Sequence, residues 1–179
     1  FVAAWASNNE IFTRRVLSDG GLETTQKLNS GTGDCEHARI AFGGGSYLVV
    51  WQETGNGNDD VRAASLTREG LATPPFPVAD GAPQQIAPFV AFDGTYFVVA
   101  WTRDEYEVWS NRIAGTSRKD GAAGVMRVPN DGVPNPVAEI SLEPQPGGVW
   151  LVTQSQNFYG RDISGRHLGP TGAGAPSVL

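Results

Sequence analysis

One short string recurs four times along the chain, and its spacing limits what the chain can fold into. Phe1-Val2-Ala3-Ala4-Trp5, Tyr47-Leu48-Val49-Val50-Trp51, Phe97-Val98-Val99-Ala100-Trp101 and Val149-Trp150-Leu151-Val152-Thr153 align, at spacings of 46, 50 and 52 residues. A period in this range marks an architecture in which each repeat is one small supersecondary unit. The strings are almost continuously apolar, as in a strand packed on both faces. A second strand and a tight turn precede the last three: Ala38–Phe42 before Gly43-Gly44-Gly45, Pro88–Phe92 before Asp93-Gly94-Thr95, and Pro136–Leu142. Glycine in such turns supplies the left-handed backbone that tight hairpins use.

A third, alternating strand follows each string, beginning near Ile11, Val61, Ile113 and Ile163. Short fourth strands are expected at Thr25–Leu28, Phe76–Ala79, Val125–Val128 and Ala175–Leu179. Four antiparallel strands in a unit of about 50 residues make a β-propeller blade. The expected fold class is therefore all-β and β-propeller-like, with about four four-stranded antiparallel blades. The first blade is incomplete because it lacks its opening strand. The blades fall at roughly 1–33, 34–81, 82–132 and 133–179 of a single domain. Because about four blades close a ring, a closed or nearly closed four-blade unit is favoured, with Pro176–Leu179 beside Phe1–Trp5. The alternatives are a homodimer, in one shared ring or face to face, and a piece of a longer propeller. Phe1–Trp5 reads as mid-strand, so the start of the gene product is expected to lie upstream.

Val90-Ala91-Phe92-Asp93-Gly94-Thr95-Tyr96-Phe97-Val98-Val99-Ala100-Trp101 resembles a repeat of large secreted bacterial proteins, and so does Asp162-Ile163-Ser164-Gly165-Arg166-His167-Leu168. In those repeats a strand of the type AFDGTNYLVVW leads to an acidic loop and then to DIYG and DG. The resemblance covers almost the whole chain. It implies propeller blades and a secreted or cell-surface bacterial location. It implies little about activity, since the fold hosts many.

Charge and composition exclude several classes. A net charge of -6 opposes a nucleic-acid partner, whose phosphates must be neutralised by Lys and Arg. No apolar run approaches the roughly 18 residues of a membrane-spanning helix, so no membrane insertion is expected. Cys35 is the one cysteine and can form no internal disulfide. With His37 close by it invites a catalytic dyad. No recognisable oxyanion hole or orienting group accompanies the pair, so no catalytic residue is assigned and Cys35 reads as a small packed side chain.

The candidate sites lie in the loops between second and third strands. Trp109 and Tyr106, with Asp104 and Glu105, occupy a stretch two residues longer than its counterparts, and the matching loop of the fourth blade carries Phe158 and Tyr159. Aromatic faces beside carboxylates suit a sugar, stacking on C–H groups while oxygens read hydroxyls. Glu53, Asn56, Asn58, Asp59 and Asp60 offer hard oxygens on a glycine-bearing loop, which makes calcium the candidate ion. No cofactor is otherwise expected. Trp5, Trp51 and Trp101 share one repeat position and read as wedges between blades.

The favoured function is a non-enzymatic binding or adhesion module for a carbohydrate or protein ligand, because no catalytic constellation stands out. The alternative is a glycosidase- or lyase-like propeller enzyme, with Glu53, Asp104, Glu105, Glu107 and Asp162 at one mouth. A purely structural or assembly propeller is the third reading.

Overall fold

The computed structural model describes residues 1–29, 31, 33–55, 57–118, 126–128, 137–157, 160–169, 172–173 and 177–178. Among them every regular element is a β-strand. The strands form four antiparallel sheets in chain order. The first contains β1 (Val2–Ser7), β2 (Glu10–Arg15) and β3 (Gln26–Lys27). The second contains β4 (Asp34–Gly43), β5 (Ser46–Gly55), β6 (Asn58–Leu66) and β7 (Phe76–Ala79). The third contains β8 (Gln85–Phe92), β9 (Phe97–Arg103) and β10 (Glu107–Ala114), with β11 (Ser117–Arg118) and β12 (Met126–Val128) both on the outer edge of β10. The fourth contains β13 (Val137–Gln145), β14 (Gly148–Asn157) and β15 (Gly160–Gly169), edged by β16 (Gly172–Ala173) and β17 (Ser177–Val178). No described helix is long and apolar enough to cross a membrane.

The repeat lengths and strand order follow the expectation from sequence, with one shift of register. Ile11 pairs with Ala6, Val61 with Gln52 and Ile163 with Gln154, each one residue past the Trp-type position. In the third sheet that place belongs to Val108, opposite Thr102. Ile113 lies five residues further along the same strand. The supposed long loop around Trp109 is therefore a tight turn followed by strand.

Each sheet has apolar residues on both faces, so it must be covered twice. Three buried clusters do this, one at each junction. Val2, Ile11 and Leu28 meet Val49, Trp51, Ala64 and Leu66 between the first and second sheets. Leu48, Val50, Val61 and Ala63 meet Val90, Val99, Trp101 and Ile113 between the second and third. Val98, Ala100 and Val108 meet Ile140, Leu142, Leu151 and Leu168 between the third and fourth. Trp51 and Trp101 are fully buried wedges. Trp5 is only partly covered, stacked 5.9 Å from Phe12 on the face of the first sheet that has no neighbour among the described residues.

Among the described residues, self-closure through the chain ends is not observed. β17 pairs with β15, completing the fourth sheet, and does not lie beside β1. The clusters join neighbouring sheets in sequence, and none joins the fourth sheet to the first among the described residues.

The hairpin turn after β4 is fitted to the next sheet. A Cβ on Gly43 would fall 2.0 Å from the Phe92 ring. Overpacking of this kind costs about 1–3 kcal/mol. Gly43→Ala is expected to lower the melting temperature by roughly 2–4 °C per kcal/mol lost. Thermal unfolding followed by circular dichroism checks it, and an unchanged Tm would show that the ring moves freely aside.

Candidate functional site

The antiparallel registers bring one set of loops to the same end of all four sheets. These are the turns between first and second strands of the first sheet and between second and third strands of the others, together with the segments that lead into β4, β8 and β13. Neighbouring sheets interlock there. The carbonyl of Asn9 accepts from the Cys35 amide (3.2 Å), and that of Glu105 accepts from the Val137 amide (2.6 Å). Glu36, Glu53, Asp59, Asp80, Asp104 and Glu105 all fall at this end, with Arg62 and Arg103 among them, so acidic side chains outnumber basic ones there.

The backbone at this end is held in an uncommon conformation. Asn8 and Asn9 have φ of 51° and 63°, and Asp104 and Glu105 have 50° and 64°. Two successive left-handed residues make the turn that matches strand twist. Asparagine tolerates that region, whereas glutamate does so at a cost. The opening strands β4 and β8 each bulge just inside the same end, between Glu36 and Arg39 and between Ile86 and Phe89. His37 and Ala87 take the left-handed positions, at 53° and 51°. A similar slip occurs in β13 between Val137 and Glu139. Bulges re-aim side chains and cluster beside active sites. Here they set Glu36 and His37 outward, both exposed, 3.6 Å apart.

The aromatic candidates separate. Tyr106 closes the turn, its amide donating to the Arg103 carbonyl, and is 47% exposed. Trp109 is a strand residue directly opposite Trp101, not a loop residue. Its ring packs on the cluster between second and third sheets, Arg103 stacks over it at 4.4 Å, and its Nε1 donates to Glu107 (2.7 Å). It is thus occupied as a packing residue, whereas Tyr106 offers a face to solvent. Phe158 and Tyr159 lie outside the described residues, as does Asn56. Asp162 pairs with Ser155 in β14 and β15.

The oxygen-rich loop is spent on internal bonds. Asp60 Oδ1 accepts from the Gly81 amide (3.0 Å) and from Asn58 Nδ2 (3.2 Å), and Asn58 also donates to the Gly81 carbonyl (2.9 Å). Burial raises the Asp60 carboxyl above the usual range, against the pull of the Gly81 amide, and the charge of Asp80 adds to the rise. Thr54 Oγ1 donates to Asp59. Among the described residues, no three His, Cys, Asp or Glu side chains converge as a metal set.

Glu53 turns inward rather than toward the mouth. Its Oε2 accepts from Trp51 Nε1 (3.3 Å) and lies 3.8 Å from the Cys35 thiol, while Arg62 Nε is 3.9 Å from Oε1. Cys35 is buried, and His37 points into solvent beside Glu36, so the two make no dyad. A groove of about 580 Å³ opens at the other end, between first and second sheets, lined by Val2, Leu22, Leu71, Arg15 and Glu23. Its Glu23 is held by Arg15 at 2.9 Å.

No family model matches the sequence, and no curated protein matches it. Solved structures do match the fold. One is a thermostable family-43 glycoside hydrolase, at TM-score 0.55 and 11% identity, covering 98% of this chain and 72% of that one. Another comes from the GH130 family of mannoside phosphorylases, which contains glycoside hydrolases that target β-1,2 mannosidic linkages in Candida mannan. It matches at TM-score 0.52 and 12% identity, over 98% of this chain and 68% of that one. These relatives in fold are carbohydrate-active enzymes, which overturns the favoured expectation of a non-enzymatic binding or adhesion module.

Burial first, and then the charge of Glu53, push the Cys35 thiol up from 9.0 to about 12. The thiolate is the reactive form, so Cys35 is expected to resist alkylation by iodoacetamide at pH 9 in the folded protein and to react fully in denaturant. The unfolded chain loses this proton first as pH rises. The associated stability is therefore whole below pH 9 and declines toward pH 12. Rapid labelling of the folded protein at pH 9 would contradict the burial.

Proposed function

We propose that the four sheets are blades of a β-propeller and that the chain acts on a carbohydrate, as a glycoside hydrolase or a related glycan-cleaving enzyme. The observation that carries this reading is the match of almost the entire sheet stack to two carbohydrate-active enzymes. The acidic end supports it. Glycoside cleavage requires two carboxyl groups flanking the bond, one protonating the leaving oxygen and the other acting as base or nucleophile.

Glu36 is the proposed carboxylate of the opening strands, set outward by the bulge at His37. Asp104 and Glu105 are the proposed carboxylates of the turn between β9 and β10, with Tyr106 as the face on which a sugar ring stacks. Glu53 and Glu107 are left out because each already accepts a tryptophan Nε1–H. A polysaccharide substrate accords with the secreted location that the repeat resemblance implies.

A panel of nitrophenyl glycosides and plant, fungal and bacterial polysaccharides is the direct test, read by released chromophore and reducing ends. Turnover of at least one substrate is expected. Glu36→Gln, and Asp104→Asn combined with Glu105→Gln, should each lower it by about 10²-fold or more, the contribution of a positioned acid or base. The double variant should retain its Tm. Absence of turnover across the panel, with no thermal shift from any oligosaccharide, would refute the reading.

A further inference from the structure

The groove between the first and second sheets, at the end opposite the carboxylate-bearing turns, measures about 580 Å³. Small-molecule sites span about 300–1,000 Å³. It opens where the last strand of the first sheet leaves the ladder. Gln26 pairs with Thr13, and Leu22 with Val16, but Thr24 and Thr25 stand outside the pairing. The turn at Glu69, Gly70 and Leu71 forms the facing wall. In the order β1-β2-β3 the unpaired edge is that of β1, whereas this gap lies on the other side of β2, between β2 and β3.

Four charged side chains line the groove, and three are engaged. Arg15 Nη1 holds Glu23 Oε1 at 2.9 Å. The carboxyl of Glu69 is held below the usual range by its own backbone amide and then by the Thr67 hydroxyl. Arg14 gives its Nε to the Glu23 carbonyl (2.6 Å), and no described carboxylate pairs with it. One bond thus fixes the guanidinium and leaves its two Nη groups as a fork suited to a carboxylate. Thr13 is 2% exposed. Neither its hydroxyl nor the half-buried Gln26 side-chain amide has a hydrogen bond among the described residues. Buried polar groups of this kind call for a partner. Leu22 and Leu71 stand largely exposed at the rim.

We infer that this groove binds a uronic acid unit of an acidic glycan. Arg14 takes the carboxylate, Thr13 and Gln26 take ring hydroxyls, and C–H groups of the ring lie against Leu22 and Leu71. One unspent cation beside Glu23 and Glu69 matches a single negative charge and disfavours a phosphate dianion. A fatty acid would satisfy Arg14 but leave Thr13 and Gln26 unpaired, which costs free energy. The choice of a glycan rests on the carbohydrate reading above. The groove itself is a second, non-catalytic site, remote from Glu36, Asp104 and Glu105.

The test is calorimetric titration of the full chain, and of its Glu36→Gln variant, with trisaccharides of galacturonic, mannuronic and guluronic acid. Maltotriose and xylotriose are the neutral probes and octanoate the apolar carboxylate. At least one uronate trisaccharide is expected to bind about 10-fold or more tightly than the other probes, equally well in Glu36→Gln. Arg14→Gln should weaken it by about 10-fold or more, the loss of a charge-assisted bond. Leu71→Asp, at an exposed position, should do the same, and Thr13→Val should cost about 3-fold, with the fold intact by circular dichroism. Absence of uronate binding, equal binding of a neutral probe, tighter binding of octanoate, or an affinity altered by Glu36→Gln and untouched by Arg14→Gln would each overturn the inference. Binding is read without turnover, so failure here is distinct from failure of the enzymatic reading.

Discussion

A small antiparallel sheet that is apolar on both faces has no stable existence in water, and the rest of this structure follows from that. Covering one face stabilises only half of it. Each large apolar side chain left uncovered forgoes about 1.5–3 kcal/mol. The chain meets the constraint by making four such sheets in succession and pressing each against the last. Trp51 and Trp101 pack between them, each on the face that looks back toward the preceding sheet. The arrangement propagates along the chain and has no intrinsic stop. Its two outer faces, with Trp5 and Phe12 at one end and Val152 and Ile163 at the other, are where the constraint is unmet within the described residues.

Stacking by opening strands also decides where the polar groups go. Backbone amides released by the bulges need acceptors, and the preceding sheet supplies one in Gln52. Loops that cross from one sheet to the next are tied by backbone bonds from Asn9 and Glu105. The consequence is a rigid end built from turns in left-handed conformations, on which carboxylates are displayed. Conformational strain in these turns is sustained by the packing beneath them. That combination of a rigid scaffold with polar loops on one rim is how sheet stacks carry chemistry.

The acidic residues do not act as one population. Glu53, Asp60 and Glu107 are absorbed by indole, amide and guanidinium partners, and they hold the loops in place. Glu36, Asp104 and Glu105 remain at the surface. The division separates carboxylates that hold the loops of this end from those exposed at it.

The repeat, the all-β class and the order of strands were legible in the sequence because they depend on local properties: apolar runs of strand length, turn glycines and a period near 50 residues. Phe76–Ala79 is a strand with the bounds expected of it. Register in the third sheet was not legible, because Val108 and Ile113 are both β-branched and only pairing with Thr102 or Phe97 distinguishes them. That one slip turned Trp109 from a strand residue beneath Arg103 into an apparent loop aromatic. The bulges left no trace either, since His37 and Ala87 are ordinary residues forced to positive φ by the sheets around them. Which carboxylates are buried in bonds and which face solvent depends on contacts between residues far apart in sequence. Those contacts exist only once the sheets are stacked, and for that reason the tertiary structure alone decided them.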